Sequence, residues 1–143
     1  MGDSEGTRRS YLEIEAVDPS HGRRTTVIIS HDRLQAVARR GTAHIHEAAY
    51  IVPEILQRPQ AVFEGLCEDM DEDRRGVGWR CYCGIPSRAF SRDGSERPTY
   101  PGSVYLVFVN ADRVAYNWRW EKADENAPDL PIGHETRFKR RLL

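Results

Sequence analysis

Residues 44–66, HIHEAAYIVPEILQRPQAVFEGL, constrain the fold more than any other part of the chain. Apolar residues in their first half recur at the three- and four-residue spacing of an amphipathic helix. Pro53 lacks an N–H and restricts the residue before it, so we expect that helix to end or kink at residues 51–52 and a second short helix to begin at the proline. Pro59 ends the second helix, and alternation over residues 60–66 predicts a strand. Helices that run directly into a strand must pack on a sheet.

The rest of the chain supplies that sheet. A β-branched or alternating pattern predicts strands, and clusters of Gly, Pro, Ser and Asp predict turns. The predicted fold is α+β, with an N-terminal hairpin and two to three helices on one face of an antiparallel meander of about four strands. The segments are a flexible tail 1–9, strands 11–17, 24–30, 60–66, 77–85, 103–110 and 114–121, a first helix 32–40, a long loop 86–102, a polar loop 122–130 and a terminal helix 134–143.

Composition limits the class of protein. The chain has 143 residues, of which 30% are charged and 39% hydrophobic, and this predicts a single soluble globular domain over residues 1–143. A formal net charge of −1 predicts no strong general attraction to nucleic acid or to an anionic membrane. No apolar run approaches the ~20 residues of a membrane span, and no secretory signal is visible, so we expect a cytoplasmic protein without membrane contact.

Strand alternation separates the side chains of the late strands into two sets. Arg80 and Tyr82 point away from Cys81 and Cys83, and Asn117 and Arg119 point away from the tryptophans of their strand. We expect the sets that contain the cysteines and the tryptophans to lie under the helices. The guanidiniums, the phenol and the amide are then together on the opposite face. Such a cluster suits phosphate or carboxylate, although solvated arginines on an open sheet face are common. The predicted substrate-binding residues are Asn117 and, in the long loop, Arg88.

The histidines are the candidate acid–base groups. His31 lies where the second strand meets the first helix, and His44 lies at the start of the next helix. Histidine transfers protons near neutral pH, so His, Arg and Tyr together are adequate for RNA cleavage without a metal. A surface or capping role is the ordinary alternative for any one histidine, and we favour it for His21 and His46. His44 and His46 are two residues apart, unlike the i,i+4 pair of zinc-protease helices.

The cysteines and the acidic run predict no metal site and no cofactor. Cys81-x-Cys83 lacks the C-x-x-C spacing of zinc or thioredoxin motifs, and we interpret both thiols as buried hydrophobic residues. Cys67, next to the preceding predicted strand, could approach them, which leaves a disulfide or a metal as an alternative. The acidic residues 68–73 lack the calcium-loop pattern and are interpreted as a solvated hairpin loop.

Several of these segments together resemble a known group of proteins. His31, His44, the phrase VPEILQRPQAV, Tyr82 in a strand, and SVYLVFVN–ADR–VAYNWRW resemble phage-associated nuclease-like domains of the barnase–EndoU–colicin–RelE superfamily, over roughly residues 28–121. The resemblance implies a compact α+β fold that cleaves RNA without metal on an open sheet face. It makes His31 and His44 the acid–base pair, and it makes Arg80, Tyr82 and Arg119 the contacts to substrate phosphate. The N-terminal hairpin, the acidic loop and the ending LPIGHETRFKRRLL depart from the pattern.

Two functions therefore come out of the sequence, and a third ranks below them. The first is a metal-independent ribonuclease of the toxin type, with RNA or nucleotides as its candidate ligands and an antitoxin as a candidate protein partner. The second is a non-catalytic module that binds a protein or nucleotide on the same scaffold. The third is a metal enzyme that uses the cysteines and the acidic loop. An open groove with a histidine near the arginines would favour the first function, and an exposed aromatic patch would favour the second.

Overall fold

The computed structural model describes residues 11–64 and 80–143. Several predictions lie outside these residues: the flexible tail predicted at 1–9, the solvated loop predicted at 68–73, the role of Cys67 and the beginning of the strand predicted at 77–85. The strands are β1 (Tyr11–Asp18), β2 (Arg23–Ser30), β3 (Ala61–Glu64), β4 (Arg80–Gly84), β5 (Ala89–Phe90), β6 (Glu96–Arg97), β7 (Ser103–Val109), β8 (Ala115–Asp124), β9 (Ala127–Pro131) and β10 (Arg140–Arg141). The helices are α1 (His31–Ala38), α2 (Thr42–His46), α3 (Val52–Gln57) and α4 (His134–Arg137), with a π-helical turn at Glu47–Ile51 between α2 and α3.

The architecture is α+β, as the sequence predicts, and it is built on one mostly antiparallel sheet. The described strands of this sheet are in the order β10-β3-β4-β7-β8-β9, so the sheet has six strands rather than about four. β1 and β2 form a separate antiparallel hairpin, and β5 pairs with β6 inside the predicted long loop. β7 lies between β4 and β8 and is buried along almost its whole length, which matches its apolar sequence.

One face of the sheet is covered by the N-terminal hairpin and the helices. Ala16 and Ile29 of the hairpin and Ile51 and Leu56 of the helical segment pack in one buried cluster with Tyr82, Tyr105 and Trp118 of the sheet. Ile28 also forms a single parallel bridge to Val114 at the start of β8. The hairpin is therefore a second layer of the domain.

The opposite face of the sheet is covered as well. Cys81, Cys83, Leu106 and Phe108 form a second buried cluster with Leu130 of β9 and Phe138 of the C-terminal segment. The Phe138 ring stacks on Phe63, with ring centroids 4.4 Å apart. The loop predicted at 122–130 is thus largely the end of β8 and the strand β9, and the helix predicted at 134–143 is one helical turn followed by β10.

The predicted kink before Pro53 takes the form of a π-helical turn. Glu47–Ile51 precedes α3 directly, and Pro53 occupies the first turn of α3, where a missing N–H costs little. A π-turn is a rare local widening of a helix, and it is frequent at functional sites. Here it keeps the helical chain continuous where the sequence allowed either an end or a kink.

Candidate functional site

A cleft of about 340 Å³ lies where the hairpin turn meets one end of the sheet. The turn between β7 and β8 and the C-terminal segment form its other walls. We call it the arginine cleft. Its lining residues are Asp18, Ser20, Thr25, Val27, Glu64, Arg80, Tyr82, Val109, Asn110, Ala111, Arg113, Arg140 and Leu142.

Arg80 is held on one wall of the arginine cleft by the hairpin turn. Its guanidinium donates from Nη1 to Asp18 Oδ1 at 3.1 Å and from Nη2 to Ser20 Oγ at 2.8 Å. Asp18 is only 5% exposed and also accepts a hydrogen bond from the Ser20 amide. Burial raises the pKa of the Asp18 carboxyl, but the Ser20 hydrogen bonds and the charge of Arg80 outweigh burial and hold that pKa below its usual value. The carboxylate form therefore fixes Arg80 in place.

Arg140 and Arg113 complete the set of guanidiniums. Arg140 donates from Nε to Glu64 Oε1 at 2.6 Å, and both side chains are largely exposed. Arg113 is exposed and adopts a positive φ of 62°, in a turn where the Asn110 side chain accepts from the Asp112 and Val114 amides. The Arg113 guanidinium forms no hydrogen bond or ion pair with any described residue. Three guanidiniums face two carboxylates, so the cleft has a local positive excess.

Tyr82 lines the arginine cleft from below and is almost fully buried. Its hydroxyl donates to the Val17 carbonyl at 2.8 Å, which ties β4 to the hairpin. Burial raises the pKa of this phenol above its ordinary value, although the nearby Arg80 opposes the shift. The expectation that Tyr82 lies on an open sheet face is wrong, because the hairpin covers this face.

Arg119 and Asn117 lie away from Arg80. In the register of the sheet, Arg119 is opposite Leu106, which belongs to the second core cluster, whereas Arg80 is opposite Val109 of the first. Directly paired residues of neighbouring strands share a face, so the two arginines are on opposite faces of the sheet. The expectation that Arg80 and Arg119 share one surface is therefore wrong. Neither face of the sheet is open, because both are covered. Asn117 instead lines a small cleft beside α1.

Arg119 belongs to an ion-pair network on the far face. Its Nε donates to Glu121 Oε2 at 2.6 Å, and Arg137 donates to both oxygens of Glu121. Burial raises the pKa of Glu121, but the hydrogen bonds from the two arginines outweigh burial and lower it below the usual value. The Arg119 guanidinium also lies over the Phe108 ring, 4.8 Å from its centroid. These contacts attach the C-terminal segment to β8.

The two predicted acid–base histidines are distant from the arginine cleft. His31 is exposed and follows Ser30, and Ser30 pairs with Tyr11 at the opposite end of the hairpin from Asp18. The ends of these eight-residue strands are about 23 Å apart at ~3.3 Å per residue. His44 contacts Glu47, which in turn contacts Tyr105 of β7. Arg80 pairs with Val109, four residues further along β7, so Tyr105 and Val109 are about 13 Å apart. The structure therefore brings neither histidine to Arg80.

His44 instead belongs to a buried polar network that sequence reasoning missed. Its Nδ1 is 4.0 Å from Glu47 Oε1, and the same oxygen accepts a hydrogen bond from the Tyr105 hydroxyl at 2.9 Å. Burial raises the pKa of Glu47 above its usual value, against the influence of Tyr105, His44 and Arg40. Tyr105 also meets the Trp120 ring edge to face at 5.2 Å. The signal in the sequence was a glutamate that interrupts the apolar stripe of residues 45–52.

His21 is the histidine that lies beside the arginine cleft. Its Nε2 is 3.4 Å from Asp18 Oδ2, and its Nδ1 accepts a hydrogen bond from the Arg23 amide at 3.1 Å. Sequence reasoning favoured a surface role for His21, and it did not select Arg113 or Arg140. Their positions depend on the hairpin turn, on a positive-φ turn and on the docking of the C-terminal segment, none of which has a local sequence signature.

The remaining predicted positions lie elsewhere. Arg88 stacks over the Tyr50 ring at 5.0 Å and pairs with Glu96 at 3.4 Å, away from the arginine cleft. Cys81 and Cys83 are buried, and burial raises the pKa of Cys81 well above its ordinary value. Within residues 11–64 and 80–143, no group of three or more His, Cys, Asp or Glu side chains could hold a metal ion.

Comparisons with known proteins assign no family. No protein-family model, no curated protein and no solved structure matches the chain. The described helices include none that is long and apolar enough to cross a membrane.

Proposed function

We propose that this chain is a metal-independent ribonuclease-like domain that binds an RNA phosphodiester in the arginine cleft. The observation that carries the proposal is the Arg113 guanidinium, which lines the cleft beside Arg80 and Arg140 and has no hydrogen-bond or ion-pair partner among the described residues. Guanidiniums bind phosphate through paired hydrogen bonds, and a partly enclosed cleft strengthens that attraction. Membership of the barnase–EndoU–colicin–RelE superfamily and a cytoplasmic location are part of this proposal.

RNA cleavage at this site would use the 2′-hydroxyl as the nucleophile. The 2′-oxygen attacks phosphorus and forms a cyclic phosphate, the bond from phosphorus to O5′ breaks, a base takes the 2′ proton and an acid returns a proton to O5′. The arginines would neutralise the charge that grows on the phosphate oxygens. His21 is the candidate for these proton transfers because it contacts Asp18 on the wall of the cleft, and Asp18 would orient its ring as carboxylates orient catalytic histidines.

A second candidate is a non-catalytic module that binds RNA, or an acidic protein such as an antitoxin, in the same cleft. Two observations favour it. Both ring nitrogens of His21 face partners within the protein, and Arg80 and Arg140 each pair with a carboxylate. In this case the phosphate would meet chiefly Arg113, with Arg80 and Arg140 as supporting charges. Binding would then occur without any change to the RNA.

Incubation of the full chain with RNA in EDTA separates the candidates. Wild type is compared with His21→Gln, and His31→Gln is the matched control because His31 is an exposed histidine at the far end of the hairpin. Cleavage that is lost in H21Q, kept in H31Q and abolished by 2′-deoxy substitution supports the ribonuclease. Binding without cleavage supports the module. Loss in H31Q with retention in H21Q would contradict the assignment of the cleft, and the absence of both binding and cleavage would end both candidates.

A further inference from the structure

Two further clefts lie near the arginine cleft. A middle cleft of about 340 Å³ shares Asn110 with the arginine cleft. A third, only about 20 Å³ in volume, shares Arg33 and Ala36 with the middle cleft. The shared residues place neighbouring clefts side by side. We call the series of clefts, from the hairpin turn, past the turn between β7 and β8, to α1, the groove.

Two arginines of this groove stand seven residues apart at its α1 end. Arg33 lies in α1 and Arg40 follows the helix by two residues, and both line the third cleft. Both arginines line the same cleft, so they lie on the same side of the domain. Neither guanidinium forms a hydrogen bond or ion pair with a described residue, although Arg40 contributes to the field around Glu47.

The third cleft is small and is bounded by α1 and β8. Asn117 and Trp118 of β8 line it together with the two arginines. A cleft of this size holds little more than a water molecule, so it suits a contact to one phosphate oxygen rather than an enclosed ligand. Two guanidiniums beside such a small cleft form a suitable site for a backbone phosphate.

The charges along the groove favour a polyanion over a single small anion. Arg113, Arg33 and Arg40 are the guanidiniums of the groove that no described carboxylate neutralises, and they are distributed along its length. Asp32 is the one acidic side chain of the middle cleft, which Tyr116 also lines. Opposing charge from Asp32 limits the affinity of the middle cleft for a lone phosphate.

We infer that a single strand of RNA lies along this groove, with successive phosphates on Arg113, Arg33 and Arg40. The inference rests on the proposed function and narrows the substrate to an oligonucleotide that extends past the arginine cleft to α1. A dinucleotide would occupy the arginine cleft alone. The longer strand adds contacts on α1 and therefore binds more tightly and with a steeper dependence on salt.

The test is fluorescence anisotropy with 2′-O-methyl RNA, which the proposed chemistry cannot cleave. An octanucleotide and a dinucleotide are titrated with wild type, Arg33→Gln/Arg40→Gln, Arg113→Gln and the control Arg39→Gln, which removes an exposed arginine that lines none of the three clefts. We expect the double variant to bind the octanucleotide about tenfold more weakly, with a salt slope lower by about 0.7 for each arginine. Its affinity for the dinucleotide is expected to stay at the wild-type value.

The outcomes separate this inference from the function on which it rests. Arg113→Gln should weaken both ligands, and Arg39→Gln should weaken neither. If the double variant matches wild type on the octanucleotide while Arg113→Gln is weakened, the extended path is wrong and the arginine cleft stands. If wild type binds neither ligand, the proposed function fails and the path fails with it. Circular dichroism of each variant establishes that weaker binding does not arise from loss of the fold.

Discussion

Arg80 on β4 donates a hydrogen bond to Asp18 at the end of β1, with 3.1 Å between Nη1 and Oδ1. The two residues are 62 positions apart in the sequence, so the contact joins the N-terminal hairpin to the sheet. It also holds the guanidinium on the wall of the arginine cleft. The same contact thus contributes to the stability of the domain and to the charge of the candidate site.

Removing the Asp18 charge should destabilise the protein. Asp18→Asn leaves the partly buried Arg80 guanidinium without its anionic partner, and a hydrogen bond to a charged group typically contributes about 1.5–3 kcal/mol. We therefore expect the free energy of unfolding in urea at pH 7 to fall by about 1–3 kcal/mol. Asp112→Asn, an exposed aspartate of the β7–β8 turn, is the control and should change it by less than about 0.5 kcal/mol. Equal stability of the two variants would show that the contact contributes nothing.

The Glu121 network on the far face should give an acid-dependent contribution. The pKa of Glu121 is lowered in the folded state, so its stabilising effect is complete above the unfolded pKa of about 4.3 and is lost as pH falls through the lower folded value. Glu121→Gln should cost about 1.5–3 kcal/mol at pH 7 and progressively less below about pH 4. Urea unfolding at pH 7, 5 and 3.5 measures the difference. Glu125→Gln, at an exposed position of the β8–β9 turn, should show no such trend, and a constant difference for Glu121→Gln across pH would refute the assignment.

Glu47 should show the opposite dependence on pH. Its pKa is raised by burial, so its contribution to stability is complete below the unfolded pKa and is lost as pH rises through the folded value. Glu47→Gln keeps an acceptor for the Tyr105 hydroxyl but carries no charge. The variant should therefore match wild type near pH 4 and have the higher melting temperature at pH 8. The exposed Glu15→Gln is the control, and a variant that is less stable than wild type at pH 8 would show that the ionised carboxylate is favourable where it lies.

Tyr82→Phe separates a structural role from a substrate contact. The phenol donates to the Val17 carbonyl, and its ring is part of the core. Loss of that hydrogen bond should reduce the free energy of unfolding by about 0.5–1.5 kcal/mol, while the affinity for RNA should stay at the wild-type value. Anisotropy with RNA and urea unfolding on the same preparation provide both numbers. A large loss of RNA affinity with unchanged stability would restore Tyr82 as a direct contact.

Local patterns in the sequence were sufficient to predict the elements that have strong periodicity. Alternation on β4 separates Arg80 and Tyr82 from Cys81 and Cys83, and the structure has them on opposite faces. For β4 the prediction of the set under the helices was wrong: Tyr82 lies under the helices, and Cys81 and Cys83 lie on the opposite face. Bulk decides that question only when one face of a sheet is open, and here both faces are buried.

The sequence did not predict that the second face of the sheet is covered, because one of the covering strands contains prolines and the other pairs with a strand far away in the sequence. β9 contains Pro128 and Pro131, which suppress a strand prediction but are tolerated in a strand at the edge of a sheet. β10 is a two-residue strand that pairs with β3, more than 70 residues earlier in the chain. Neither element has an alternating pattern of its own. The arginine cleft depends on these contacts, so its residues could not be grouped from the sequence.

The most direct test of the account maps where a phosphodiester binds. A dinucleotide such as 2′-O-methyl UpA is titrated into ¹⁵N-labelled protein, and the amide signals are followed by NMR. The account predicts chemical-shift changes that cluster at Ser20, Asn110 and Arg113, on the walls of the arginine cleft. Changes centred on Arg119, Glu121 and Arg137, on the opposite face of the sheet, would contradict it, and so would the absence of any change at millimolar dinucleotide.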